Sequence, residues 1–230
     1  MKNLLLIFAF LFSVQVAFCQ KFRLYPEMEI TSLSSNESEL TLMNGEILDG
    51  EMGLATVQTS SGLQRITSVV VFKKGEKNLK YKPKDIKEIK IKANWSDMSS
   101  SDANNDSSLQ IKFYADMKSD YYIFRTVLDK KGKPRLMQLL NPGFDSNIQV
   151  YVDAKSKDSS IAGMLGKETA KSYYLTKGTD EKGIYVKKSK YKKLFPKIFG
   201  DCDAMKTEFG EKIKWGDFTQ HIYAYDQDCK

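Results

Sequence analysis

The residues best suited to covalent or metal chemistry are few: one histidine, His221, and three cysteines, Cys19, Cys202 and Cys229, in 230 residues. A zinc site built on several imidazoles is therefore excluded, and a histidine-dependent triad would rest wholly on His221. No Gly-x-Ser-x-Gly nucleophile elbow accompanies it, and neither common glycine-rich phosphate loop occurs. His221 stands at helical spacing with Phe218, Ile222 and Tyr225, which favours a packing or surface role over that of a base. Carboxylates such as Asp116, Asp120 and Glu168 are numerous enough to supply a glycosidase pair, but nothing in their spacing brings two together. No catalytic residue is assigned.

The cysteines depend on where the chain resides. Lys2, an apolar run from Leu4 to Phe12 and then Ala17-Phe18-Cys19-Gln20 form the pattern of a secretory signal peptide, residues 1–19. The run is too short to span a bilayer, which takes about 20 apolar residues. Ala17 and Cys19 suit cleavage after Cys19; a lipid anchor on Cys19 is the alternative, against which stands the bulky Phe18. The expected location is periplasmic, outer-membrane associated or secreted. In such an oxidising setting Cys202 and Cys229 are expected to form a disulfide, fastening the C-terminal tail.

That bond would gather Asp201, Asp203, Asp226 and Asp228 into an oxygen cluster suited to a hard cation such as calcium. Helix capping and a solvated tail explain the same aspartates without a metal, and that explanation is preferred. Asp102, Asn104, Asp106 and Ser108 alternate as at the start of an EF-hand loop, but Ser107 and Phe113 stand where the turn glycine and the bidentate glutamate belong. No cofactor is expected.

The chain carries a net charge of +7, its basic excess supplied by lysine, with arginine only at positions 23, 65, 125 and 135. Few planar guanidinium groups and an exported location argue against nucleic acid. An envelope protein or an anionic glycan or lipid head group is the expected partner, held by salt-sensitive attraction. The candidate contact residues are Lys73, Lys74, Lys87 and Lys90 in one stretch and Lys187, Lys188, Lys192 and Lys193 in another. A solvated strand face protected from edge pairing is the preferred explanation for the first group. Tyr121, Tyr122, Tyr173, Tyr174 and Tyr185 recur in strand-like segments, where sugar stacking competes with the ordinary preference of tyrosine for strands.

These residues are carried by an α+β chain: a mostly antiparallel β-rich body of two regions, closed by a cap of short C-terminal helices. After a polar lead-in at 32–38, residues 20–93 form the first β region, with a hairpin at Asn44-Gly45, a turn at Ser60-Ser61-Gly62 and a Ser68–Phe72 run expected to be buried on both faces. Ile89 and Ile91 should share the inner face of a half-exposed strand. Residues 94–108, rich in Ser, Asn and Asp, read as a linker or exposed loop. The second β region, 109–188, has a turn through Gly132, a break at Asn141-Pro142-Gly143, a short helix capped near Ser159-Ser160 and a final strand pair around Gly178–Gly183.

From 189 to 230 the apolar period changes to about 3.6. Tyr191, Leu194, Phe195, Ile198 and Phe199 make one helical face, with Lys190, Lys192, Lys193 and Lys197 mostly opposite. Pro196 should divide that segment into two short turns. Asp201 or Asp203 should cap a second helix carrying Met205, Phe209 and Ile213, and Asp217 a last one carrying His221.

The signal peptide, the NGEILDGEM hairpin, the KYKPKDIKEIKI segment, the Gly132-Lys133 turn before LMQLL, the YYL/YVKK pair and the FPKIFGDC…YDQDC ending are similar to those of uncharacterised secreted proteins frequent in the Bacteroidota. The resemblance implies an exported, envelope-associated context and carries no activity with it. The expected function is a non-enzymatic binding or interaction module for an envelope protein or anionic surface polymer. The alternative is a hydrolase acting on envelope glycans or lipids, and a purely structural role is a third.

Overall fold

A computed structural model describes residues 24, 34–58, 64–73, 75, 77–92, 121–153 and 172–229. The signal peptide with Cys19, the Ser60-Ser61-Gly62 turn, Lys74, the 94–108 segment with its EF-hand-like spacing, Asp116, Asp120, the helix near Ser159 and Glu168 lie outside the described residues.

Ten antiparallel strands form one sheet: β1 (Ser34–Leu42), β2 (Ile47–Gln58), β3 (Gln64–Val71), β4 (Leu79–Tyr81), β5 (Ile86–Lys92), β6 (Tyr121–Leu128), β7 (Pro134–Leu139), β8 (Ile148–Val152), β9 (Ser172–Lys177) and β10 (Ile184–Lys187). Their order is β10-β9-β8-β7-β6-β5-β1-β2-β3-β4, so β5–β6 pairing, with Ile89 opposite Phe124 and Ile91 opposite Tyr122, joins the first five strands to the last five. Three helices follow: α1 (Tyr191–Phe199), α2 (Asp203–Phe209) and α3 (Phe218–Asp228). The molecule is thus a β-rich α+β fold with C-terminal helices.

Two hairpins set the register. Leu42 N–H donates to Glu46 O at 2.8 Å and Gly45 N–H to Leu42 O at 3.0 Å, while Asp129 N–H donates to Lys133 O at 2.9 Å and Gly132 N–H to Asp129 O at 2.7 Å. Gly45 (φ 88) and Gly132 (φ 73) occupy the left-handed position that ends such a three-residue turn, where a Cβ is disfavoured. Both turns match the sequence expectation. Strand β1 begins inside the expected polar lead-in, because Ser34 and Ser35 pair with Gly53 and Met52 across a bulge before Ser38.

Alternating positions divide the sheet into two faces. One face carries Leu40, Met52, Val69, Ile86, Ile89, Ile91 and Phe124 as the core of the first strands. The sheet curls there, bringing β3 into contact with β7, and the 3-10 turn Pro83–Asp85 packs against β3, β5 and β7. Thr126 Oγ1 donates to Pro83 O at 2.7 Å and fixes that turn. Ile89 and Ile91 lie on the inner face as expected. The Ser68–Phe72 run is not buried on both faces: Val70 is half-buried and Phe72 exposed, since only alternate residues of β3 reach the core.

Farther along the same face, Ile148, Val150, Leu175 and Val186 meet the helices through Tyr191, Phe195, Ile198, Phe199, Met205, Phe218, Ile222 and Tyr225. Each fully buried side chain, such as Ile198 or Phe199, contributes about 1.5–3 kcal/mol of apolar burial. Helix α1 runs unbroken through Pro196. The proline removes one i→i−4 bond, on the exposed side, while the buried aromatic face on either side of it holds the helix together. Cys202 and Cys229 are bonded, with Cα atoms 5.7 Å apart, and so tie the N-cap of α2 to the C-cap of α3. The expected aspartate caps are not made: Cys202 is the N-cap residue of α2, and Asp217 occupies the N-cap of α3 without a side-chain bond. A 3-10 turn, Trp215–Asp217, runs directly into α3 and leaves Asp217 outside the extended backbone conformation that aims a capping side chain.

Candidate anion-binding surface

Lysine is the most abundant charged type in both candidate stretches, and the fold treats the two differently. Strand β5 is interior, between β1 and β6, so its lysines do not protect an edge. They face a row of carboxylates instead. Lys90 Nζ donates to Glu39 Oε1 at 2.6 Å and lies 3.7 Å from Glu88 Oε1, and Lys92 pairs with Glu37. The hydrogen bond to Glu39 is the main reason the Lys90 amine is held above its ordinary pKa. Arg125 extends the row, its Nε 2.6 Å from Glu88 Oε2 and its Nη1 2.8 Å from Asp145 Oδ2. Burial works against the Arg125 charge, but the bonds to Glu88 and Asp145 outweigh it, so the guanidinium pKa lies above its usual value. Charge on this face is satisfied internally. Lys87 is exposed and Lys73 is exposed beyond the end of β3.

Helix α1 presents the opposite case. Its buried face is Tyr191, Phe195, Ile198 and Phe199, and the 100° step per residue then turns Lys192, Lys193, Pro196 and Lys197 outward. Lys188 and Lys190 precede them in the 3-10 turn Lys188–Lys190, and Lys187 ends β10. Among the described residues, Lys190, Lys192, Lys193 and Lys197 have no carboxylate within ion-pair distance, and α1 itself contains no acidic residue. Lys190, Lys192 and Lys193, at the helix N-terminus, oppose the macrodipole by about 0.3–1 kcal/mol each, whereas Lys197, in the last turn, is favoured by it; Lys193 with Lys197 adds an i,i+4 repulsion of a few tenths. The arrangement costs stability and holds a fixed positive field in solvent. Lys190 and Lys197 thus belong with the candidate residues Lys187, Lys188, Lys192 and Lys193; their signal was the lysine face opposite the apolar stripe.

The aspartates near the disulfide go to separate partners. Asp201 takes both oxygens to Lys177 Nζ at 2.8 Å and accepts from Tyr225 Oη at 2.9 Å. Burial disfavours its charge, yet those bonds hold its carboxyl below the usual range. Asp203 pairs with Lys206 at 2.8 Å, and Asp226 Oδ1 accepts from Asn147 N–H at 2.7 Å. Asp228 is exposed. Among the described residues no three His, Cys, Asp or Glu side chains converge as a metal site would require. The disulfide brings these segments together, but competing lysines and backbone donors take the oxygens.

His221 is fully buried in the helical cap. Its Nδ1 lies 2.6 Å from Tyr191 Oη, and its ring is packed by Tyr191, Phe195, Phe199 and Phe209. Burial pushes its pKa down to about 4, although Asp217 favours the charged form. The tyrosines also sort by depth. Tyr122, Tyr173 and Tyr174 are buried, the last two on opposite faces of β9, because both faces of that strand are covered. Tyr121 and Tyr185 are half-buried.

Among the described residues no helix is long and apolar enough to cross a membrane. No protein-family model, no curated protein and no solved structure matches this chain.

Proposed function

We propose that this protein is a non-enzymatic binding module of the cell envelope that attaches to an anionic surface polymer through the lysine face of α1 and the turn before it. The observation that carries this is the set Lys190, Lys192, Lys193 and Lys197, without counter-charges among the described residues and, for the first three, at a cost to the helix, whereas Lys90 and Lys92 are neutralised. A local departure from stabilising charge placement is the mark of a residue retained for function. The two β regions then differ in role, the first five strands acting as scaffold and the last five carrying the helical cap. The Cys202–Cys229 bond supports an oxidising, exported location. The withdrawal of His221 into an aromatic core weighs against a histidine-dependent hydrolase.

The test is retention on immobilised dextran sulfate across a salt gradient. Lys190→Ser/Lys192→Ser/Lys193→Ser/Lys197→Ser should weaken binding by roughly 10–100-fold and flatten its salt dependence, at a few tenths to 1 kcal/mol per exposed charge. Lys90→Met/Lys92→Met, which touches only paired lysines, serves as the control and should change retention less than about twofold. Equal retention of the wild type and the α1 variant rules the proposal out.

A further inference from the structure

Tyr185 sits on the sheet face away from the helices, at the start of the edge strand β10. Its ring lies 4.9 Å from that of Tyr174 and its hydroxyl donates to Ser172 Oγ at 3.1 Å, so the plane is held on two sides. Tyr174 is itself pinned: a Cβ added at Gly183 would come within 2.9 Å of its Cδ1 and 3.1 Å of Val127 Cγ1. Two ammonium groups reach this ring from separate parts of the chain. Lys130 Nζ, from the β6–β7 turn, lies 5.1 Å from the centroid, and Lys187 Nζ, two residues along β10, lies 5.6 Å from it.

Both lysines are exposed, and among the described residues neither has a carboxylate within ion-pair distance. The nearest acidic residue in sequence, Asp129, is turned inward, accepting from Lys131 and Lys133 N–H at 2.8 and 3.0 Å and from Arg135 Nε at 3.1 Å. Two like charges gathered at one ring, with no carboxylate within ion-pair distance of either among the described residues, form a receptor for an anion that also carries an apolar face. A phosphate would use the charges alone; an acidic pyranose supplies a carboxylate for the two ammonium groups and a C–H face for the ring.

We infer that Lys130, Tyr185 and Lys187 form a subsite for a uronic acid residue of an acidic polysaccharide. This rests on the anionic-polymer reading above and names its chemistry, but it is centred on the sheet face away from the helices and takes only Lys187 from the candidate set beside α1. The carboxylate draws the flexible amines off the ring, and the sugar takes their place over it.

The experiment is titration calorimetry of the wild-type chain with a galacturonic acid hexamer, a neutral maltose-type hexamer and inorganic polyphosphate, repeated on variants. Lys130→Ser/Lys187→Ser changes only exposed side chains and should weaken the uronate at least tenfold. Tyr185→Leu should weaken it on the order of tenfold by removing the stacking face, whereas Tyr185→Phe, which keeps the ring, should stay within about threefold. The neutral hexamer should give no heat. Uronate binding unchanged by Lys130→Ser/Lys187→Ser overturns the subsite, as does no binding at all, or polyphosphate binding that needs both lysines while Tyr185→Leu leaves uronate affinity intact. Dextran sulfate retention that still depends on the α1 lysines in those cases leaves the general reading standing; uronate binding at Tyr185 with retention indifferent to α1 sinks the α1 surface alone.

Discussion

Protonation of His221 should unfasten the helical cap, and its cost follows from where the ring sits. The imidazole is enclosed by Tyr191, Phe195, Phe199 and Phe209, with Asp217 the acidic group that offsets a positive charge there. Its folded pKa of about 4 lies below the ordinary value of 6.5, so the unfolded chain takes up the proton first. Stability is therefore full above about pH 6.5 and falls as the pH drops toward 4. Integrating that linkage gives a loss of ~2.5 kcal/mol between about pH 7.5 and about pH 4.5. Asp129 and Asp201, whose carboxyls are held below the usual range, lose their contributions mostly at lower pH, below this window. Glu208, raised by burial and by Asp228, acts with the opposite sign. Urea unfolding followed by circular dichroism at the two pH values should show the loss in the wild type and most of it abolished in His221→Phe. That variant leaves the Tyr191 hydroxyl without its partner and should be about 1–3 kcal/mol less stable at about pH 7.5, a deficit that closes toward about pH 4.5 as the wild type loses its own contribution, so the slope, not the absolute stability, is the readout. A drop in His221→Phe as large as in the wild type would refute the assignment.

Removing the disulfide by Cys202→Ser/Cys229→Ser frees a loop closed over a sequence separation of 27 and should cost about 3.5 kcal/mol by chain entropy. Chemical denaturation of the double variant measures it, and a loss under about 1 kcal/mol would mean that the bond constrains little. Asn141 is fully buried and holds the β7–β8 connection, its Nδ2 donating to Phe144 O at 2.6 Å and Ile148 O at 2.8 Å and its Oδ1 accepting from Val150 N–H at 2.8 Å. Asn141→Ala should destabilise by about 2–4 kcal/mol, because the three backbone groups lose their partner; thermal unfolding within about 2 °C of the wild type would count against it.

Local chemistry explains which elements were legible. The Asn44-Gly45 and Gly132 turns, the alternation of Ile86–Lys92 and the helical spacing from Tyr191 to Tyr225 each reside in a few adjacent residues, and each appears where expected. Pro196 and the aspartates depend on distant partners instead. Pro196 should divide the segment into two short turns, but apolar burial continues the helix through it; Asp201 or Asp203 should cap the next helix, but Lys177, distant in sequence, takes the Asp201 carboxylate and Asp203 pairs with Lys206. Lys90 and Lys192 look alike in a sequence, but one faces Glu39 across the β1–β5 ladder and the other faces solvent.

The sequence by itself determined the periodicities, the hairpin turns and the poverty of histidine, because each depends on residue type and spacing alone. Only the tertiary structure decided that β5 and β6 join ten strands in one sheet, that Lys90 is neutralised while α1 stays charged, and that Lys130 meets Lys187 at Tyr185. Those outcomes turn on pairing between segments far apart in the chain, and ion pairs and ring contacts follow strand register rather than sequence distance.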